Sequence, residues 1–152
     1  MNDAKKDYHA PMHSVEHILN QTMVRMFDCG RSFGSHIERK KSKCDYRMTR
    51  NLTDDELKTI EDKVNEIIMR NLDVRESFID RKEALERFDL RRLPEDVGDT
   101  VRIIEIGDYD ACPCIGAHVN NTSETGDFKI ISSNFADGVL RIRYKLIDKD
   151  LS

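Results

Sequence analysis

Thr53–Leu72 reads TDDELKTIEDKVNEIIMRNL, and its apolar spacing sets the first element of the fold. Leu57, Ile60, Val64, Ile67, Ile68 and Leu72 recur at the interval of a helical turn, so on a helix they form one apolar stripe. Thr53 is placed to cap the N-terminus while Glu56 reaches back to the Thr53 backbone, the reciprocal capping box. The stripe reads as core, and nothing in it suggests a cofactor.

Outward from this helix the pattern changes period. On its N-terminal side, SFGSHIE and KCDYRM flank the charged RKKSK, which predicts a strand pair joined by a basic turn. On its C-terminal side, DVRESFID is extended, and a brief helix follows in which Asp80 and Glu83 repeat the capping-box pattern. TVRIIEIG is rich in β-branched residues and predicts a strand; DYDACPC reads as a turn; DFKIISS and GVLRIRYKLI predict two more strands. In the last, Leu140, Ile142, Tyr144 and Leu146 alternate with Arg141, Arg143 and Lys145, as on a sheet with one buried and one polar face, and the ADG before it suits a hairpin turn. A further helix is expected from about Pro11 to Asp28, with Met12, Val15, Leu19, Met23 or Met26, and Phe27 on its buried face and Gly30 at its stop. The expected class is α+β: a mixed or antiparallel sheet with two long helices packed on it, in one domain over residues 1–152.

Composition narrows the function classes. Apolar residues make up 38% of the chain and charged residues 36%, with a formal net charge of −4, so there is no global case for nucleic-acid binding. Charge is unevenly spread, however. Arg31, Arg39, Lys40, Lys41, Lys43, Arg47 and Arg50 face only Glu38 and Asp45 within one stretch, which reads either as a solvated hairpin or as a phosphate-facing patch. No apolar run has the roughly 20 residues a membrane crossing needs, and MNDAKKDYHAPMH lacks a signal-peptide core. Cys29, Cys44, Cys112 and Cys114 form no secreted disulfide framework, and a single proline separates the last two, too tight for an ordinary bridge. A cytoplasmic, reducing location is expected, where the Asn-x-Ser/Thr triplets at Asn51, Asn120 and Asn121 carry no glycan. No nucleotide-binding glycine motif is present, so the chain is not expected to activate amino acids.

The chemistry lies in two short pairs. HSVEH places His13 and His17 one turn apart on the first helix, and His9, beyond Pro11, falls outside it. CIGAH places Cys114 and His118 four residues apart about a hundred residues later. Imidazole nitrogen and thiolate sulfur are the donors that a tetrahedral ion such as zinc takes, so the two pairs together form a candidate four-ligand site. Three rival readings stand beside it. His-x-x-Glu-His is the order of inverted zinc peptidases, with Glu16 as general base and a third ligand drawn from Glu56, Glu61 or Glu66. Four protein ligands also describe a purely structural metal. The histidines can equally be buried or surface residues without a metal.

HSVEHIL and CIGAHV resemble the His-x3-His and Cys-x3-His signature of the second additional domain shared by alanyl- and threonyl-tRNA synthetases, whose free-standing relatives are small alanyl-tRNA editing proteins. The segment FGSHIERKKSKCDYRMTRNLTDDELKTIEDKVNEII resembles that family's strand-turn-strand and long helix, including the spacing of Ile60, Glu61, Val64 and Asn65. DACPCIGAHVNNTSETGDFKIIS and GVLRIRY resemble the segments that follow, so that the likeness spans residues of about 8–147. Where the free-standing alanyl group typically reads Cys-Gly-Gly-Thr-His, this chain has Ile115 and Ala117; the threonyl branch typically reads Cys-x-Gly-Pro-His, and DACPC is closer to the alanyl type.

The resemblance implies metal-dependent hydrolysis of mischarged aminoacyl-tRNA, acting in trans, with seryl-tRNA(Ala) as the leading substrate and seryl-tRNA(Thr) as the alternative. It implies Zn2+ held by His13, His17, Cys114 and His118. Glu16, as a base-like group, and Ser35 and Thr122, as hydrogen-bonding groups for the aminoacyl moiety, are the candidate catalytic residues. Arg39, Lys40, Lys41, Lys43, Arg141 and Arg143 are the candidate contacts to the tRNA acceptor end. A zinc-containing RNA-binding domain without activity is the contrasting expectation. Cys112 is either a spare thiol or a competitor of Cys114.

Overall fold

The computed structural model describes residues 9–88 and 99–147; the remainder of the expected 1–152 span lies outside the described residues. Among the described residues, three α-helices and seven strands follow one another: α1 (Ala10–Phe27), β1 (Gly34–His36), β2 (Ser42–Arg47), α2 (Asp54–Met69), β3 (Val74–Asp80), α3 (Arg81–Arg87), β4 (Thr100–Ile106), β5 (Asp110–Pro113), β6 (Asp127–Ala136) and β7 (Val139–Ile147), with a 3-10 turn at Thr122–Glu124. The strands form two sheets, β1-β2-β7-β6 and β3-β4-β5, and every pairing within them is antiparallel. This is the α+β class expected, with the strands shared between two sheets. No described helix is long and apolar enough to cross a membrane.

Local sequence explains the elements. Both arms of the Thr53–Glu56 capping box form at the start of α2, and Ile60, Val64, Ile67 and Ile68 are buried along its stripe. The second capping box is only half made. Asp80 accepts the Glu83 N–H, but the Glu83 carboxylate turns to Arg87 at 2.8 Å instead of back to the cap. The ADG turn is as expected, with Asp137 and Gly138 both at positive φ (53° and 80°) between β6 and β7. Helix α1 stops earlier than Gly30: Asp28 takes the left-handed conformation (φ 54°) and donates its N–H to Val24. DYDACPC is not simply a turn. Gly107, at φ 51°, reverses the chain, and Asp110–Pro113 then pairs with β4, Cys112 opposite Ile104. Backbone pairing with an available strand outweighs the weak local preference of an Asp- and Pro-containing segment.

The main core lies between α1, α2 and the inner face of the four-stranded sheet. Leu140, Ile142 and Tyr144 of β7 meet Cys44 and Tyr46 of β2 and Met12, Val15 and Leu19 of α1 there, all fully buried. Helix α1 is enclosed on nearly all sides, because Met12 through Asn20 are all buried. Its polar residues therefore need internal partners. Asn20 has them, accepting from Tyr46 Oη at 2.7 Å and from the Ser32 N–H at 3.1 Å. The edge strand β6 is closed by α2 side chains instead of by another strand. Asn65 donates to Phe128 O (2.9 Å) and accepts the Phe128 N–H (2.7 Å), and Glu61, one turn earlier, accepts the Ile130 N–H (2.9 Å).

Candidate metal centre

Helix α1 presents His13 and His17 from consecutive turns toward the loop that leaves β5. That loop is anchored on both sides. Arg102 of β4 donates to Cys114 O (3.1 Å) and Gly116 O (2.8 Å), and on the α1 side Ser14 Oγ accepts the Val119 N–H at 3.1 Å. Cys114 and His118 are thereby carried against the two helix histidines. One ligand atom from each of the four residues lies within 4.8 Å of all the others. Cys114 Sγ is 3.3 Å from His13 Nε2 and 3.4 Å from His118 Nε2, and the His13 and His118 rings stack with centroids 4.4 Å apart.

The surroundings of the rings test whether a metal fits. His13 Nδ1 lies 3.2 Å from the Ala117 carbonyl, and His118 Nδ1 3.1 Å from Ser14 Oγ. His17 Nδ1 faces Asp110 Oδ2 at 3.4 Å, an ion-pair distance without hydrogen-bond alignment. Each Nδ1 is thus turned outward to an oxygen, which leaves Nε2 for the interior of the cluster, the tautomer that acceptors around metal-bound histidines select. One thiol and three imidazoles are a donor set suited to a tetrahedral transition metal, so the four residues can hold a metal ion.

For two of the four residues, Cys114 and His118, electrostatics point the same way. Burial opposes ionisation of the Cys114 thiol, but hydrogen bonds from His118, His13 and His17 overcome it and bring its pKa down to about 3. Burial, reinforced by the charges of His17 and His13, lowers His118 to about 4 against the pull of Cys114. A thiolate and a neutral imidazole are the forms a metal binds. Burial lowers His17 in turn, yet Asp110, Cys112 and Cys114 together raise it well above the ordinary histidine value.

Asp110 was not among the residues singled out in the sequence. Its side chain is wholly buried and receives Arg31 through both guanidinium nitrogens (2.7 and 3.2 Å) and Gln21 at 2.8 Å. Burial would raise its pKa, but His17 and Arg31 hold it well below the usual carboxylate range. The signal was present in DACPC. Read as a strand, it puts Asp110, Cys112 and Cys114 on one face, and all three meet His17. Cys112 stands outside the four-residue ligand group.

The other expected site residues divide. Glu16 and Ser35 come together beside the cluster: Glu16 Oε1 is 3.5 Å from His13 Nε2, and Ser35 Oγ donates to Glu16 Oε2 at 2.5 Å. Thr122 is placed elsewhere. Its hydroxyl donates to Ile68 O (2.9 Å) and accepts the Leu72 N–H (3.0 Å), closing the C-terminal end of α2, so it is spent on the fold. Arg39, Lys40 and Lys41 are exposed in the β1–β2 connection, and Lys43 follows on β2. Arg141 is engaged by Asp45 through two contacts (2.7 and 2.9 Å), and Arg143 donates to Asn134 at 3.0 Å. Among the described residues, no acidic ligand of the kind the peptidase reading requires joins the cluster. Glu56 is held by Arg50, Glu61 by the edge of β6 and Glu66 by Arg70, and none of them joins the ligand group among the described residues.

Residues 101–143, which include Cys114 and His118, match the family described as the threonyl and alanyl tRNA synthetase second additional domain. The chain is 35% identical over 132 residues to an alanine–tRNA ligase of Clostridioides difficile, covering 86% of this chain and 15% of the relative. It is 32% identical over 140 residues to that of Borreliella afzelii (91% and 24%) and 32% identical over 136 residues to that of Methanopyrus kandleri (87% and 15%). The chain therefore spans at most about a quarter of the length of these relatives. Residues 101–143 are thus similar to the second additional domain of threonyl and alanyl tRNA synthetases, and most of the chain, on its α+β fold, is similar to one part of alanine–tRNA ligases.

Proposed function

We propose that this chain is an aminoacyl-tRNA deacylase that hydrolyses the ester of mischarged tRNA in trans, with seryl-tRNA(Ala) as substrate and zinc as cofactor. The observation that carries the reading is the convergence of His13, His17, Cys114 and His118 with the Glu16–Ser35 pair at one place. The relatives' names, alanine–tRNA ligase, support tRNA(Ala) over tRNA(Thr) as the partner. Four free cysteines suit a reducing cytoplasm, and we take residues 1–152 as one editing-type unit.

His13, His17, Cys114 and His118 would hold the zinc, which when bound supplies a Lewis acid for the ester carbonyl or an anchor for the amino acid's amino or hydroxyl group. The protein's own groups do the rest. Glu16 is a buried carboxylate beside the cluster, fixed by the Ser35 hydroxyl, so its other oxygen, on the His13 side, can accept a proton from an attacking water. Ser35 holds that carboxylate in place and itself hydrogen-bonds Ser32 Oγ at 3.0 Å. Arg39, Lys40, Lys41 and Lys43 supply charge for the acceptor end. Hydrolysis after charging is the expected remedy for an amino acid that a synthetic site rejects poorly, because one small group is worth only about 1–3 kcal/mol of discrimination.

Incubation with seryl-tRNA(Ala), seryl-tRNA(Thr), glycyl-tRNA(Ala) and correctly charged controls tests the reading. Selective release of serine from tRNA(Ala) is the expected result. Release from tRNA(Thr) alone would move the chain to the threonyl branch, and tRNA binding without release of any amino acid would leave a zinc-containing RNA-binding domain.

A further inference from the structure

We propose that the outer face of the four-stranded sheet is the surface on which the phosphate backbone of the RNA lies. The inference rests on the reading of RNA as partner and adds a defined surface to it.

The face opposite the core is set by the alternation of β7. With Leu140, Ile142 and Tyr144 buried, Arg141, Arg143 and Lys145 point outward, and the strand register brings Lys43 of β2 and Lys129 of β6 to the same side. Two of the cross-strand pairs on this face join like charges: Lys43 lies directly opposite Arg143, and Lys129 directly opposite Lys145. Such pairs destabilise an antiparallel sheet, and the chain carries a net charge of −4, so cations are not in general excess. Of the carboxylates among the strand residues here, Asp45 is occupied by Arg141, and Asp127, opposite Ile147, lies one outward-facing position from the Lys129–Lys145 pair, so the Lys43–Arg143 pair is the less compensated of the two. Glu61 approaches Lys129 only to 4.0 Å, over the sheet edge. The remaining neighbours in the Arg143 and Arg141 rows of β6, Ser132 and Asn134, are neutral hydrogen-bonding groups.

A bound polyanion turns this repulsion into attraction. Neighbouring strands are about 4.8 Å apart and alternate residues about 6.8 Å apart, so the cations form a grid on the scale of successive phosphates. The face also leads to the metal centre. β1 is the edge strand, where Ser35 turns inward to Glu16 and the next residue, His36, turns outward beside Lys43. An acceptor stem resting on the sheet can therefore deliver its 3′ end around β1. Arg141, expected from the sequence to contact RNA, contributes least, because its charge is already matched by Asp45.

The test is fluorescence anisotropy with an uncharged acceptor-stem hairpin over a series of salt concentrations. Lys43→Gln with Arg143→Gln, and Lys129→Gln with Lys145→Gln, should each weaken binding roughly tenfold and flatten the dependence of log Kd on log salt by about 1–2. The pair Lys58→Gln with Lys63→Gln, on α2, should change neither. Without RNA, the sheet variants should melt no lower than the parent at low salt, and the gap should close as salt rises. Unaltered affinity and salt slope in both sheet variants would overturn the proposal, as would sheet-dependent binding to anionic vesicles with none to RNA. The hairpin carries no amino acid, so a chain that binds in this way yet hydrolyses nothing would overturn the proposed activity alone.

Discussion

Asp110 Oδ2 lies 3.4 Å from His17 Nδ1, behind the ring that faces the ligand cluster, although the two residues are far apart in sequence. The carboxylate is fixed in turn by Arg31 and Gln21, so three residues outside the ligand set hold one candidate ligand in orientation. The ligand group is therefore preorganised by its surroundings as well as by helix spacing, and substitution separates the two contributions.

Zinc content comes first. The purified, tag-free chain should carry about one zinc per molecule, as a tetrahedral site of one cysteine and three histidines would. Cys114→Ala should lose it, whereas Cys112→Ala should retain it. Elemental analysis of the three proteins is the measurement.

Asp110→Asn keeps the shape but removes the charge facing His17. Its zinc affinity should fall about 10–100-fold, the usual effect of losing the partner behind a metal-bound histidine. Competition with a chromogenic chelator reads this directly. An unchanged affinity would show that Asp110 serves only to hold Arg31.

Glu16→Gln should lower the deacylation rate about 10²–10⁴-fold, the range for a positioned proton acceptor, with zinc content unchanged. Ser35→Ala should have a smaller effect of the same kind, because it loosens Glu16 without removing it. Single-turnover assays alongside metal analysis distinguish loss of chemistry from loss of the site.

Stability should depend on pH through Glu56, whose carboxyl is brought to about 2 by Arg50 and the Thr53 N–H from an ordinary 4.5. The folded value lies below the unfolded one, so its contribution is fully present above about 4.5 and is lost as pH falls through about 2. Urea unfolding of the parent and of Glu56→Gln should therefore show a gap in midpoint that is constant near neutrality and closes toward pH 2.

Asn65→Ala removes both hydrogen bonds to Phe128 at the edge of β6. The cost should be about 1–3 kcal/mol, as for a backbone group left unpaired, measured by chemical unfolding.

Much of the fold was legible in the residues, for local reasons. The stripe and capping box of α2, the alternation of β7 and the ADG turn are each encoded within a few positions, and each forms as expected. The strand at Asp110–Pro113 was not legible, because its extended state depends on pairing with β4. Asp110 was missed with it. The bonding of Thr122 is not legible for a related reason: a hydroxyl just beyond a candidate ligand loop gives no sign that the end of α2 engages it.

The sequence by itself determined the donor types and the helical and loop spacing of the two pairs, because these follow from side-chain chemistry and the period of a helix. Only the tertiary structure decided that the pairs meet, that Glu16 and Ser35 border them, and that Lys43, Arg143, Lys129 and Lys145 share one face. Those relationships join residues distant along the chain and arise from packing and strand register, which local periodicity does not encode.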